Sequence, residues 1–227
     1  MHAILRRSLF ASTIVGLGLI GCGGKKIEYK KKLAPTVKVS LPMPGAISKR
    51  PSKAGENWTV WGVSYYKRSR VHSQEVEDKT LTVEGYIVKT NLPDAPPCSV
   101  HKGGKADPED CKPPIPTFWL GDKKDSKLDE TMMVKGWASN YAQIYDAIKL
   151  IEKHEDKAEP VDTFWGKPIP NPLPNVGAKV KVTGRYSTTF TGASSGTEAD
   201  PIMGILTYEK LEYVEPAPEA ATLPGMD

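Results

Sequence analysis

Two cysteines and a histidine within one segment are the residues best placed for chemistry. Asn91 to Pro116 reads N-L-P-D-A-P-P-C-S-V-H-K-G-G-K-A-D-P-E-D-C-K-P-P-I-P and carries Cys98, His101 and Cys111. Two chemistries fit. Cys98-x-x-His101 with Cys111 and an acid from Asp107, Glu109 or Asp110 supplies zinc-type ligands, although a structural site normally takes four ligands at tighter spacing. The alternative is a disulfide: in an exported chain, an isolated cysteine pair in a Pro/Gly-rich loop pairs with itself. Closing a loop of about 14 residues is worth about 3 kcal/mol in the chain-entropy model. The disulfide Cys98–Cys111 is the preferred reading, with no metal. No C-x-x-C-H for haem attachment is present.

Acid–base patterns are missing. The chain has no H-E-x-x-H or phosphate-binding G-x-x-x-x-G-K-[ST]. His72, His101 and His154 all stand among polar residues, and His154 lies in a charged E-K-H-E-D run. Carboxylates are scattered, so no pair stands out as general acid and base. Asp122 follows an apolar run and reads as a turn cap. The expectation is a protein without a catalytic residue or cofactor, and not an enzyme.

The remaining cysteine implies a different chemistry. Arg6 and Arg7 precede a twelve-residue apolar or small run, Leu9 to Ile20. That is an export-signal length, short of the roughly 20 residues a membrane span needs. It ends in Leu19-Ile20-Gly21-Cys22, and no A-x-A-like site stands there. L-I-G-C resembles the bacterial lipobox, which implies cleavage before Cys22 and a diacylglycerol on its sulfur. The implied membrane attachment is through acyl chains at Cys22. Gly23 at the next position resembles lipoproteins released to the outer membrane, so the expected address is the cell envelope, and the outer membrane in a Gram-negative organism. Arg6-Arg7-Ser8-Leu9-Phe10 is also similar to a twin-arginine signal, which leaves both export routes open.

Charge divides the mature chain. Residues 22–57 hold nine Lys or Arg against two Glu, whereas residues 58–215 hold twenty against twenty-three Asp or Glu. The basic stretch, with four prolines and little apolar periodicity, cannot bury enough surface to order itself. It reads as a disordered tether, either a solvated spacer or a segment held to anionic lipid at about 1 kcal/mol per Lys or Arg. Residues 216–227, rich in Pro, Ala and Glu, read as a disordered tail. The organisation expected is therefore a signal peptide (1–21), a tether (22–57), one domain (58–215) and a tail (216–227).

Within the domain the dominant period is that of strands. Trp58 to Val63 alternates and is aromatic and β-branched. Leu81 to Val88 places Leu81, Val83 and Ile87 on one face. Pro116 to Asp122, Thr131 to Trp137, Lys179 to Thr183 and Met203 to Val214 follow as further strands. One helix interrupts them. Tyr141, Ile144, Tyr145, Ile148 and Ile151 make one apolar stripe, Ser139 or Asn140 can cap it, and it should end by Lys153 to Lys157. Two loops complete the domain. Thr163 to Pro174 is proline-rich with Phe164 and Trp165. Thr188 to Asp200 is rich in Thr, Ser and Gly and reads as mobile.

The order strand, strand, strand, helix, strand, strand from Leu81 resembles the OB-fold, a five-stranded Greek-key barrel. The residues carrying the resemblance are V-E-G-Y-I-V (Val83 to Val88), F-W-L-G-D (Phe118 to Asp122), V-K-G-W (Val134 to Trp137), G-A-K-V-K-V-T-G-R-Y (Gly177 to Tyr186) and G-I-L-T-Y-E-K-L-E (Gly204 to Glu212). It implies a mainly β domain, bends at Gly85 and Gly184, and a sheet extension by Trp58 to Val63. It also implies a binding face drawn from Tyr86, Trp119, Trp137, Lys135, Lys181 and Arg185, flanked by the first and last inter-strand loops. Many OB-folds bind single-stranded nucleic acid through such a face. The net negative domain and the export signal argue against that here, since phosphate binding needs a basic footprint. The expected function is non-enzymatic: a binding or assembly module with an envelope protein as partner. A binder of an extracytoplasmic polyanion or polysaccharide is the runner-up.

Overall fold

The structure is a computed structural model, which describes residues 28–32, 50–154, 157, 159–192 and 196–226. Cys22, the signal segment and most of the tether lie outside the described residues. The chain divides into two units, residues 1–46 and 47–227. In the first, residues 28–32 are exposed and in no helix or strand. No helix among the described residues is long and apolar enough to cross a membrane.

The second unit is mainly β. Its elements are β1 (Lys53–Ala54), β2 (Asn57–Trp58), α1 (Val60–Arg68), β3 (Thr80–Thr90), β4 (Phe118–Gly121), β5 (Met132–Lys135), α2 (Tyr141–His154), β6 (Val161–Asp162), β7 (Lys167–Pro168), β8 (Lys179–Ser187), β9 (Thr189–Gly192), β10 (Gly196–Ala199) and β11 (Ile205–Glu215). Seven strands form one mixed sheet in the order β1-β2-β3-β4-β5-β11-β8, and β8 also pairs with β3. That last pairing closes β3, β4, β5, β11 and β8 into a ring. Every contact in the ring is antiparallel except β5 with β11, which is parallel.

Period-2 patterning explains how the ring fills. Along β3 the alternating buried residues are Leu81, Val83, Gly85 and Ile87, with Thr90 buried at the strand end, and along β8 they are Val180, Val182, Gly184 and Tyr186. They meet Phe118, Leu120, Met132, Val134 and Leu206 in one core. The two glycines do more than allow bends. A Cβ on Gly85 would sit 2.8 Å from the Gly121 carbonyl oxygen, and one on Gly184 would sit 2.3 Å from that of Thr207. Backbone therefore passes where a side chain would stand. Next to Gly184, the β8–β11 register shifts between Tyr208 and Lys210.

Helix α2 lies between the third and fourth strands of the ring. The Asn140 side chain accepts a hydrogen bond from the Gln143 amide at 3.0 Å and caps it. Its apolar stripe buries Tyr141, Ile144 and Ala147, with Tyr145 and Ile148 partly buried against the same core. The Tyr141 hydroxyl donates to the Asn91 carbonyl at 3.1 Å, joining helix to loop. Burial pushes that phenol well above its ordinary value.

Three expectations are corrected. Trp58 to Val63 is not a strand: Trp58 pairs with Val83, then α1 begins at Val60. Thr59 accepts from the Gly62 amide, and Asp122 accepts from the Val60 and Trp61 amides, so these carboxylate bonds hold the helix start. The tail is not free. It has no helix or strand, but Leu223 is buried in the core, with Ala217, Ala221 and Met226 packed around it. Nor is Thr188 to Asp200 an unpaired loop, since β9 and β10 pair antiparallel. The proline-rich loop packs onto the core. Ile169 and Leu173 are buried, and the hydroxyls of Tyr208 and Tyr213 donate to the carbonyls of Pro168 and Pro172.

Candidate functional site

The loop from β3 to β4 is built before it can frame anything. Cys98 and Cys111 are joined in a disulfide, which removes both sulfurs from the zinc reading. Asp107 pairs with the His101 ring at 2.9 Å, and the other ring nitrogen meets the Lys102 carbonyl at 2.9 Å. That carbonyl, and then the Asp107 carboxylate, hold the imidazole above its ordinary pKa. The Asp146 carboxylate on α2 accepts from the Gly103 amide and ties the loop to the helix. At the far end, Asn91 bonds both the Ile115 carbonyl and the Thr117 amide at 2.8 Å.

A second support is Asp162, which is fully buried. Its carboxylate accepts from the amides of Ser139 at 2.6 Å, Phe164 at 3.0 Å and Trp165 at 2.7 Å. One side chain thus fixes the approach to α2 and the β6–β7 turn together. Trp165 packs edge-on against Phe190 of β9, beside Ile115 and Ile205. Phe164 packs edge-on against Trp165, with ring centroids 4.8 Å apart, and is 60% exposed.

The third wall is the β9–β10 hairpin. Lys135 is 2% exposed, and its ammonium reaches Thr117 at 2.8 Å and Glu198 of β10 at 2.6 Å. The cation therefore ties the end of β5 to the hairpin. Its burial is satisfied by a charge and a hydroxyl.

Between these walls lies a cleft of about 660 Å³, lined among others by Asp107, Ile115, Asn140, Phe164, Trp165 and Glu198. The first and last inter-strand loops of the ring both contribute to it. The cleft is a size that suits a ligand or a partner's side chains. Two buried polar atoms on its lining residues, Ser139 Oγ and Trp165 Nε1, have no hydrogen-bond partner. Among the described residues, no group of His, Cys, Asp and Glu could hold a metal ion.

The face expected from sequence is split. Trp137 is fully buried against Phe118, and its indole N–H has no partner. Lys135 is buried under the hairpin. The other four alternate outward. Tyr86 lies under the ammonium groups of Lys124 and Lys179, Trp119 under that of Lys89, and Arg185 pairs with Asp78 at 3.4 Å. Lys181 stands beside Lys179 on β8, half-buried. Strand parity turns Tyr86, Trp119, Lys181 and Arg185 outward. Lys135 has the same outward phase on β5 but is covered by the β9–β10 hairpin, and Trp137 follows the strand end, past the positive-φ Gly136. Sequence reading marked the two loops and missed Asp162 and Glu198, which read as ordinary surface acids.

No family model matches this chain, and no curated protein matches it. Among solved structures, it is similar to a Leishmania major Friedlin chain assigned as an aspartyl-tRNA synthetase. The likeness is at 15% identity and a TM-score of 0.32, over 77% of this chain and 23% of that one. The chain thus spans under a quarter of that protein's length.

Proposed function

We propose that this protein is a membrane-anchored envelope lipoprotein, held by acyl chains at Cys22, whose OB-like barrel is a non-enzymatic binding and assembly module. What supports the OB-like reading is the ring order β3-β4-β5-β11-β8, the parallel β5–β11 contact, and α2 between the third and fourth ring strands. The observation that carries the binding reading is the cleft framed by the disulfide-braced first loop and the β9–β10 hairpin. Its occupant is an envelope protein. An exposed aromatic, Phe164, stands over fixed walls, the arrangement of an anchor residue at a protein interface.

Affinity purification of the full chain from solubilised membranes tests this. A protein should co-purify at constant stoichiometry from wild type. It should be lost from Phe164→Ala and from a charge reversal at Glu198, with the fold retained by circular dichroism. If nothing co-purifies, or both variants retain the same partner, the reading fails.

A further inference from the structure

A second, larger cleft lies between α1 and the outward face of β3. It measures about 890 Å³ and is lined by Trp61, Tyr65 and Arg68 from α1, by Glu84, Tyr86 and Lys179 from the sheet, and by the turn after β4. We propose that this cleft binds a neutral oligosaccharide.

Aromatic placement is the first support. Trp61 and Tyr65, one helical turn apart, stack with centroids 4.7 Å apart at 17°. Such a stack occupies one face of each ring, and Tyr65 remains 55% exposed. Tyr86 contributes a third ring from the sheet, with the ammonium groups of Lys124 and Lys179 over it at 5.4 and 5.8 Å. Rings that present a flat apolar face beside polar groups suit the C–H faces of sugar rings, whose edges are hydroxyls.

Charge is the second support, and it selects among ligands. Five basic and five acidic side chains line the cleft. The two signs balance in number, and two pairs are joined directly: Arg50 offers both terminal nitrogens to Glu130 at 3.2 Å, and Lys179 bonds Glu84 at 2.9 Å. A polyanion would meet the carboxylates and a polycation the ammonium groups. Sugar hydroxyls both donate and accept, so they match a lining of both signs without a net charge to oppose. The volume lies in the range of small-ligand sites.

Native electrophoresis of the full chain, in a polyoxyethylene detergent, through gels cast with dextran, amylose or laminarin tests the proposal. A gel cast with alginate is the anionic control. The basic tether has no charge to engage on the neutral polymers. At least one neutral polymer should retard the wild type. Tyr65→Ala and Tyr86→Ala should each weaken that retardation about tenfold, from the lost ring contact, while Phe164→Ala should leave it unchanged. Thermal unfolding of each variant confirms the fold. No retardation by any neutral polymer overturns the proposal, as does equal retardation of folded Tyr65→Ala. Retardation by alginate alone also overturns it, since the basic tether can bind an anionic polymer; the cleft is assigned to a polyanion only where Tyr65→Ala loses that retardation. A photo-cross-linker at Tyr65 that captures a protein, without neutral-polymer retardation, assigns it to a protein contact. Because Phe164 lies on the other cleft, failure here leaves the co-purification result standing, and the reverse also holds.

Discussion

Replacing Asp122 should loosen α1 from the sheet. This carboxylate follows β4 and accepts from the Val60 amide at 2.7 Å and the Trp61 amide at 3.0 Å. Both amides belong to the first helical turn and have no partner within the helix. Each donor left unpaired in a dry site costs about 1–3 kcal/mol. Two factors reduce the sum. Asp122 is only half-buried and borders the larger cleft, so water can reach the amides. The carboxylate's own desolvation also raises its pKa, against the opposing pull of the two amides. The net loss for Asp122→Ala should be about 2 kcal/mol, at the upper end for a helix cap. For a unit of this size that lowers Tm by about 4–8 °C. Asp122→Asn keeps one carbonyl acceptor and should fall between Ala and wild type. The raised pKa fixes a sign as well. The contribution from titration is fully present below the ordinary value of 3.8 and is lost as pH rises through the folded value. The advantage of wild type over Asp122→Asn should therefore grow on acidification. Differential scanning calorimetry across pH reads both effects. A Tm for Asp122→Ala within about 1 °C of wild type would refute the capping argument. So would an advantage over Asn that shrinks toward low pH.

Other perturbations follow the same reasoning. Cys98→Ser with Cys111→Ser should cost about 3 kcal/mol in denaturant unfolding, and an unchanged midpoint would show the bridge adds nothing. Gly184→Ala forces a Cβ against the Thr207 carbonyl and should destabilise by about 1–3 kcal/mol; a neutral result would contradict the close approach of β8 and β11. Glu84 is held below its ordinary value chiefly by Lys179. That pair's stability is present above pH 4.5, the ordinary value, and is lost as pH falls through the folded value. Glu84→Gln should lack that acid-side loss in a pH–Tm series. Cys22→Ala should abolish acyl labelling and release the chain from membranes, and unchanged labelling would remove the anchor from the account.

How much of this was legible depended on whether the signal was local. The stripe of Tyr141, Ile144 and Ile148 and the alternation of Leu81, Val83 and Ile87 are periodic, and both gave the observed elements. The cysteine pair was legible because few other chemistries suit it. The segment after Trp58 was not, because W-T-V-W-G-V fits a strand by type. Its helix start is held by Asp122, 62 residues from Val60. Leu223 sits in a Pro/Ala-rich stretch whose composition says nothing of the core that accepts it. Among the candidate face residues, Lys135 and Trp137 share their types with surface binders. The β9–β10 hairpin covers Lys135 through Glu198, 63 positions on, and the chain's turn at the positive-φ Gly136 carries Trp137 into the core.

The most direct test of the central claim is site-specific photo-cross-linking from Phe164 in intact cells. The side chain stands exposed over the cleft between the first loop and the β9–β10 hairpin. The account predicts one discrete adduct with an envelope protein, lost on charge reversal at Glu198. The same probe placed at Arg185, on the outward face of β8, should give no such adduct. A diffuse smear from both positions, or no adduct from Phe164, would contradict it.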